Sequence, residues 1–423
     1  MTRSTTTQSA VPALLVSLLT ACAGGAARPG APDPGGDAAL ATAVRVLSSV
    51  PLIDGHNDLP WEVRQSSPCW EEPALCETTN APADVAGYDL RTTTPGHTDI
   101  ARLRAGMVGI QFWSIYIPYQ AVEVGAARTQ LEQIDIAKRI FESYPDALEE
   151  TPTVDAALDA WREGRVASVL GMEGGHAIEN SLGALRSYYR LGARYMTLTH
   201  SANIDWADSC CEAPELGGLS PFGVEVVREM NRLGMMVDLS HVSPETMHDA
   251  LDATEAPVIF SHSSARGVTD HPRNVPDDVL RRLPDNGGVV MITFVPGFIS
   301  NDVRAWESLP REQRDTTPAP RATMADAIAH IEHVRDVAGI EHVGIGGDFD
   351  GISSVPVGLE DVSTYPALFA ELARRGWSEA ELKQLAGENV LRVWREVERV
   401  AARLQRERAP STMMIQGPAE AER

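Results

Sequence analysis

Basic side chains are scarce in this 423-residue chain, where 36 Lys and Arg face 59 Asp and Glu for a formal charge of -23. Such a surface repels phosphate, which excludes nucleic acid as a partner. Long apolar runs are also missing. The stretch at residues 11–19 is too short to span a bilayer as a helix, and no other segment is long and apolar enough to cross one. No internal repeat is present. Cysteines number five, and neither Cys69 with Cys76 nor the doublet Cys210-Cys211 has the spacing usual for a zinc-binding pair. What the chain does have is 43% hydrophobic content, enough for a sizeable core and too much for a disordered protein. The acidity reads most simply as the solubility of an exported protein.

The amino terminus sets the expected compartment. Arg3 followed by the short apolar stretch reads as a signal peptide over residues 1–21. Its end, Leu19-Thr20-Ala21-Cys22, resembles the lipobox of bacterial lipoproteins, which implies cleavage before Cys22 and acylation of that cysteine. Acyl chains contribute roughly 0.8 kcal/mol per buried methylene, so several on one residue hold a protein at a membrane. A plain secretory signal with a chance cysteine is the alternative. Residues 22–37, mostly Ala, Gly, Pro and Asp, read as a flexible tether. The expected location is therefore extracytoplasmic, lipid-anchored to a bacterial membrane. Export permits disulfides. Cys69 with Cys76 closes a short loop and is the expected pair, whereas a bond between Cys210 and Cys211 would be strained, leaving that doublet free or paired elsewhere.

Eight short apolar runs follow, at residues 50–53, 108–115, 166–172, 195–198, 235–239, 258–260, 289–294 and 343–345. Helical periodicity separates many of them, most plainly over 125–141, 221–233 and 323–337. Alternating strand and helix predicts an α/β fold, a single-domain (β/α)8 TIM-type barrel with insertions over residues 38–405, with a polar tail over 406–423. A doubly wound open sheet is the alternative. It lacks its phosphate-binding Gly-rich turn, since Asp54-Gly55-His56 after the first strand is not one.

Ligand-type residues sit just past these runs: His56 and Asp58, Glu173, His241 and His262. The C-terminal ends of barrel strands are where such enzymes place their chemistry. Three imidazoles and two carboxylates make a mixed field suited to zinc. At spacing two, His56 and Asp58 point the same way if the strand stays extended. They would grip one metal, His241 and His262 a second, and Glu173 could bridge both. Two metals roughly 3.5 to 4 Å apart would hold a hydroxide between them and polarise a scissile carbonyl, so amide hydrolysis is the expected reaction. His200 and Asp348 should face the same rim, the first to donate to an oxyanion and the second to carry a proton to the leaving amine. Arg273 could pair with a substrate carboxylate. Each residue has an ordinary explanation as cap, turn, core or solvated side chain, and for Asp350 beside Gly351 the turn reading is favoured. Five ligand types at the ends of four strands are hard to produce by packing alone.

These residues resemble the membrane (renal) dipeptidase family of zinc metallopeptidases. The resemblance runs through Ile53-Asp54-Gly55-His56-Asn57-Asp58, Met172-Glu173-Gly174-Gly175-His176, Leu198-Thr199-His200, Asp238-Leu239-Ser240-His241, Phe260-Ser261-His262, Arg273-Asn274-Val275-Pro276 and Gly346-Gly347-Asp348-Phe349-Asp350-Gly351. It implies a barrel with two zinc ions per chain. His56 and Asp58 would bind one, His241 and His262 the other, and Glu173 would bridge them. It further implies that His200 contacts the tetrahedral intermediate, Arg273 the substrate's C-terminal carboxylate, and that Asp348 shuttles the proton. Dipeptides are the implied substrates, often with a C-terminal D-residue, and a homodimer the implied assembly. The chain departs from animal members, whose cross-domain cysteines align with Tyr119, Ala202, Thr269 and Asn301, so those disulfides are expected to be absent. Two rivals remain open: another barrel amidohydrolase acting on N-acyl amino acids or cyclic amides, and a lipoprotein that binds peptide without cutting it.

Overall fold

The structure, a computed structural model, describes residues 1–2, 29–66 and 85–415. Cys22, Cys69 and Cys76 lie outside the described residues, as do most of the signal segment and the end of the polar tail.

Ordered secondary structure begins where Asp37 accepts the amides of Ala39 and Leu40 and so caps the helix Ala38–Ser49. Among the described residues nine strands follow: β1 (Leu52–Asn57), β2 (Val108–Ser114), β3 (Leu148–Glu150), β4 (Val166–Glu173), β5 (Ala193–Thr197), β6 (Met236–Asp238), β7 (Ile259–Ser263), β8 (Val289–Ile292) and β9 (Val343–Ile345). Strand β1 pairs in parallel with both β2 and β9, β2 with β4, and each of β4 to β8 with its successor. That closes an eight-stranded parallel barrel. Every residue of its eight strands is buried. Strands covered on both faces read as continuous apolar runs, which is why all eight are visible in the sequence.

Strand β3 is not expected from the sequence. It pairs in parallel with Val166, Ala167 and Ser168 on the edge of β4 away from β2. Two of its three residues are acidic, and Glu150 meets Lys138 at 2.5 Å. A strand held by ladder bonds and ion pairs shows no apolar run.

Helix Pro221–Leu233 has the bounds its sequence predicts, because both ends are chemically marked. Ser220 accepts the Gly223 amide, Pro221 opens the helix, and Gly234 at φ +90° ends it. The helices Ala126–Ser143 and Met324–Ala338 lie within two residues of their predicted ends.

The last helix, Asn389–Glu407, decides which mouth of the barrel is open. Its Val390, Val393, Trp394, Val397 and Leu404 join one apolar cluster with the barrel residues Ile53, Phe112, Val169, Tyr195, Ile259 and Met291. The rings of Phe112 and Trp394 lie 5.6 Å apart. The lower half of the barrel is thus plugged, and the C-terminal mouth is left for polar side chains. The helix also takes Arg406 and Glu407 from the expected tail. Further on, Ser411 is bound at both its backbone groups by Arg186 and Glu229, so this part of the tail is docked by polar contacts that carry no apolar period.

Candidate metal centre

Strand β1 stops at Asn57, so Asp58 is not reached by strand alternation; it stands at φ -95° and ψ 20° as the first residue of a turn into the helix Leu59–Gln65. Even so, its Oδ2 comes within 3.1 Å of His56 Nε2. Glu173, the last residue of β4, extends one carboxylate oxygen each way. Its Oε2 lies 3.5 Å from His56 Nε2, while Oε1 lies 3.1 Å from His241 Nε2 and 3.3 Å from His262 Nε2. His262 stands on β7, whereas His241 follows β6 in a left-handed conformation, φ +69°. All five expected ligands converge at the C-terminal mouth.

The imidazoles are oriented from behind. His56 Nδ1 shares a hydrogen bond with the Tyr195 hydroxyl at 2.9 Å, and His262 Nδ1 donates to Ser261 Oγ at 2.8 Å. Ser261 in turn donates to Asp238 Oδ2 at 2.6 Å, and Asp238 also accepts from Thr197. A proton on Nδ1 leaves the Nε2 lone pair free for a cation. Ser114 Oγ donates to Glu173 Oε2 at 3.2 Å.

The donor set fits a metal. His56 Nε2 is buried without a hydrogen-bond partner, and the Nε2 atoms of His241 and His262 face one another at 2.8 Å. Burial alone disfavours an imidazolium at His56, but Tyr195, Asp58 and Glu173 outweigh it and hold the group well above its ordinary pKa. Burial and Arg273 hold His241 well below its own, and burial and His56 do the same for His262. Burial would raise Glu173, yet the three histidines keep it well below the carboxylate range. Charged carboxylates beside His241 and His262, which burial keeps neutral, and beside His56, whose raised proton affinity marks an excess of negative charge around it, are what a divalent cation requires. Within the described residues, three overlapping groups offer ligand atoms all within 4.8 Å of one another: His56, Glu173 and His262; Glu173, His200 and His241; and His56, Asp58 and Asp348.

The remaining expected residues surround this cluster. Asp348, left-handed at φ +64°, brings Oδ1 to 3.9 Å from His56 Nε2. Burial and the neighbouring Asp58 and Glu173 raise its pKa well above normal. Gly351 makes room for it, since a Cβ there would lie 2.6 Å from Asp348 Oδ1 and 2.3 Å from Asp58 Oδ2. His200 Nε2 lies 3.8 Å from Glu173 Oε1. Arg273 is not a solvated loop residue: it is 4% exposed, donates to the His262 carbonyl at 3.1 Å and stacks 5.3 Å from the Phe298 ring centre. Asp350 has a turn former's backbone, φ +64°, but its buried side chain accepts the His97 amide at 2.5 Å and burial raises its pKa to about 7.

These groups line a cavity of about 370 Å³ whose apolar walls are Trp61, Tyr116, Val295, Phe298 and Ile352. Sequence reasoning missed these walls and the supports Tyr195, Ser261, Asp238 and Ser114. Tyr195 reads there as one more apolar strand residue, and only the small Gly171 one strand away hints that its ring needs space.

The family model for membrane dipeptidases, peptidase family M19, matches residues 40–408. Among solved structures, the chain is similar to the probable dipeptidase PvdM of Pseudomonas aeruginosa at 23% identity, with a TM-score of 0.71 over 86% of this chain and 99% of that one. It is 25% identical to a metallopeptidase of family M19 named dipeptidase AC, with a TM-score of 0.69 over 82% of this chain and 98% of the other. A metallopeptidase from Rhodobacter sphaeroides, liganded with a phosphinate mimic of the dipeptide L-Ala-D-Ala, matches at 25% identity and a TM-score of 0.68 over 82% of this chain and 99% of its own. The chain belongs to the membrane dipeptidase family, peptidase family M19, and is a metal-dependent dipeptidase.

Proposed function

We propose that the chain cleaves the single peptide bond of dipeptides, including those with a C-terminal D-residue, at a centre that holds two zinc ions. The observation that carries this reading is the division of Glu173, whose Oε2 faces His56 while Oε1 faces His241 and His262. His56 and Asp58 would hold one ion, His241 and His262 the other, and Glu173 both. When bound, the two ions supply a lowered pKa for the attacking water and a polarised scissile carbonyl.

The protein's own groups do the rest. Arg273 pairs with the substrate's C-terminal carboxylate through the donors its present contacts leave free. His200, held below its ordinary pKa by burial, is a neutral donor for the developing oxyanion. Asp348 takes the proton of the attacking water and hands it to the leaving amine, a task suited to a carboxylate with raised proton affinity. Trp61, Tyr116, Val295 and Phe298 exclude bulk water from the reacting bond.

The phosphinate on the Rhodobacter sphaeroides relative mimics a dipeptide ending in D-Ala, which supports the D-residue reading. Anchoring through acylated Cys22 on the extracytoplasmic side, which rests on the sequence, and a homodimer, which rests on the family resemblance alone, are part of the same proposal.

The test is release of free amino acids from matched L-L and L-D dipeptides, with zinc supplied and a chelator as control. Zinc-dependent release from both series is expected. No release from any dipeptide by protein carrying two ions would sink the assignment in favour of other amides or of binding alone.

A further inference from the structure

The loop between β5 and helix Pro221–Leu233 carries Cys210 and Cys211, which the hydrolysis does not use. Their Sγ atoms lie 3.0 Å apart, with Cys211 exposed and Cys210 half-buried. The two thiols therefore face each other at a rim that solutes can reach.

The same loop is hydrogen-bonded to the metal centre. The Cys210 amide donates to the His241 carbonyl at 2.8 Å. Ser209 Oγ donates to the His200 carbonyl at 2.6 Å and receives the Cys211 amide at 3.2 Å. On its far side the loop cannot yield freely, because the Asp208 carboxylate accepts the amides of Leu216, Gly217 and Gly218. A change at the Cys210–Cys211 peptide is thus passed towards His241 and His200.

We propose that Cys210 and Cys211 form a thiol-modification site that takes small-molecule disulfides and closes to a vicinal disulfide, loosening His241. The Cys211 thiolate attacks one sulfur of the oxidant and expels a first thiolate. The Cys210 thiolate then attacks Cys211 Sγ and expels the second. Two protein thiols become one disulfide, the oxidant becomes two thiols, and the two protons pass to them. Neighbouring Cα atoms about 3.8 Å apart lie below the usual disulfide span of about 4.4 to 6.8 Å, so the bond twists its own peptide and is easily reduced. The site therefore cycles, and each closure disturbs the amide that holds His241. Its effects on zinc loss and on turnover rest on the proposed zinc dipeptidase centre; the bond itself does not.

The test uses the full zinc-loaded chain treated with oxidised glutathione, then with dithiothreitol. Peptide mapping locates the bond, a chromogenic chelator reports the rate of zinc loss, and dipeptide hydrolysis reports activity. Expected are a disulfide within the single peptide holding both cysteines, zinc loss about tenfold faster, and a several-fold drop in kcat/KM that dithiothreitol reverses. Cys211→Ser should keep the reduced chain's activity and lose the whole response, and a Cys69→Ser/Cys76→Ser double variant should keep the response. Bonding of either cysteine to Cys69 or Cys76, a stable glutathione adduct, unreacted thiols, or closure without any change in zinc loss would each overturn the proposal. Closure that speeds zinc loss in a chain with no dipeptidase activity in either state would uphold it and overturn the dipeptidase reading.

Discussion

Gly171 and Tyr195 compete for one space: a Cβ on Gly171 would lie 2.0 Å from Cζ of the tyrosine and 2.5 Å from its hydroxyl oxygen. The glycine on β4 thus admits the ring from β5 whose hydroxyl is hydrogen-bonded to His56 Nδ1. The orientation of a proposed metal ligand depends on a side chain that is missing from another strand. Tyr195→Phe keeps the ring and removes the hydrogen bond, and zinc affinity should fall about 10- to 100-fold. Gly171→Ala should lower it at least as far and destabilise the barrel as well. Competition with a chromogenic chelator, beside thermal unfolding, separates the two effects. An unchanged affinity in Tyr195→Phe would reduce the tyrosine to a space filler.

Arg273 offers a test of substrate recognition. A hydrogen bond to a charged group is worth about 1.5 to 3 kcal/mol, so Arg273→Gln should lower kcat/KM for free dipeptides roughly 10- to 100-fold. Dipeptide amides, which carry no C-terminal charge, should be cleaved poorly by both proteins and with little difference between them. Because Arg273 also donates to the His262 carbonyl, metal content must be measured alongside. An equal loss on both substrate series would mean that the arginine only braces His262.

Asp348 separates chemistry from binding. Removing a general acid–base group costs about 10²- to 10⁴-fold, and Asp348→Asn should show this in kcat with KM within a few-fold of the parent. Zinc content should stay at the parental value if the residue carries protons. Loss of one ion instead would identify Asp348 as a ligand, as its place in a cluster with His56 and Asp58 permits.

The barrel was legible because strands buried on both faces leave apolar runs, and the converging ligand-type residues because each follows such a run. The means of convergence was not. Asp58 reaches His56 through a turn rather than through strand alternation, and His241 and Asp348 adopt left-handed backbone that no residue type announces. Support from Tyr195, Ser261 and Asp238 was hidden for a different reason, since these residues act across strands and pairing register cannot be read from one chain segment. The opposite held at β3 and Ser411, where polar contacts fix segments that carry no apolar period. Periodicity reports burial; it is silent on structure held by charge.

Glu229 shows that second kind of order and gives a pH prediction. It accepts from Arg232 at 2.8 Å and from Arg186 at 3.0 Å, and it receives the Ser411 amide at 3.3 Å, tying the segment beyond the plugging helix to the outer helix Pro221–Leu233. Burial would raise its pKa, but the donors from Arg232, Arg186 and Ser411 prevail and lower it below the ordinary 4.5. A carboxylate depressed in the folded state contributes stability that is complete above its unfolded pKa and is lost as the pH falls through the folded one. Glu229→Gln should therefore cost about 1.5 to 3 kcal/mol at neutral pH, and the deficit should shrink as the pH is lowered below about 4.5, because the parent then loses the same charge. Urea unfolding of both proteins from neutral pH down to the acid transition measures this. A deficit that stays constant across that range would show that packing of the side chain, rather than its charge, holds the segment.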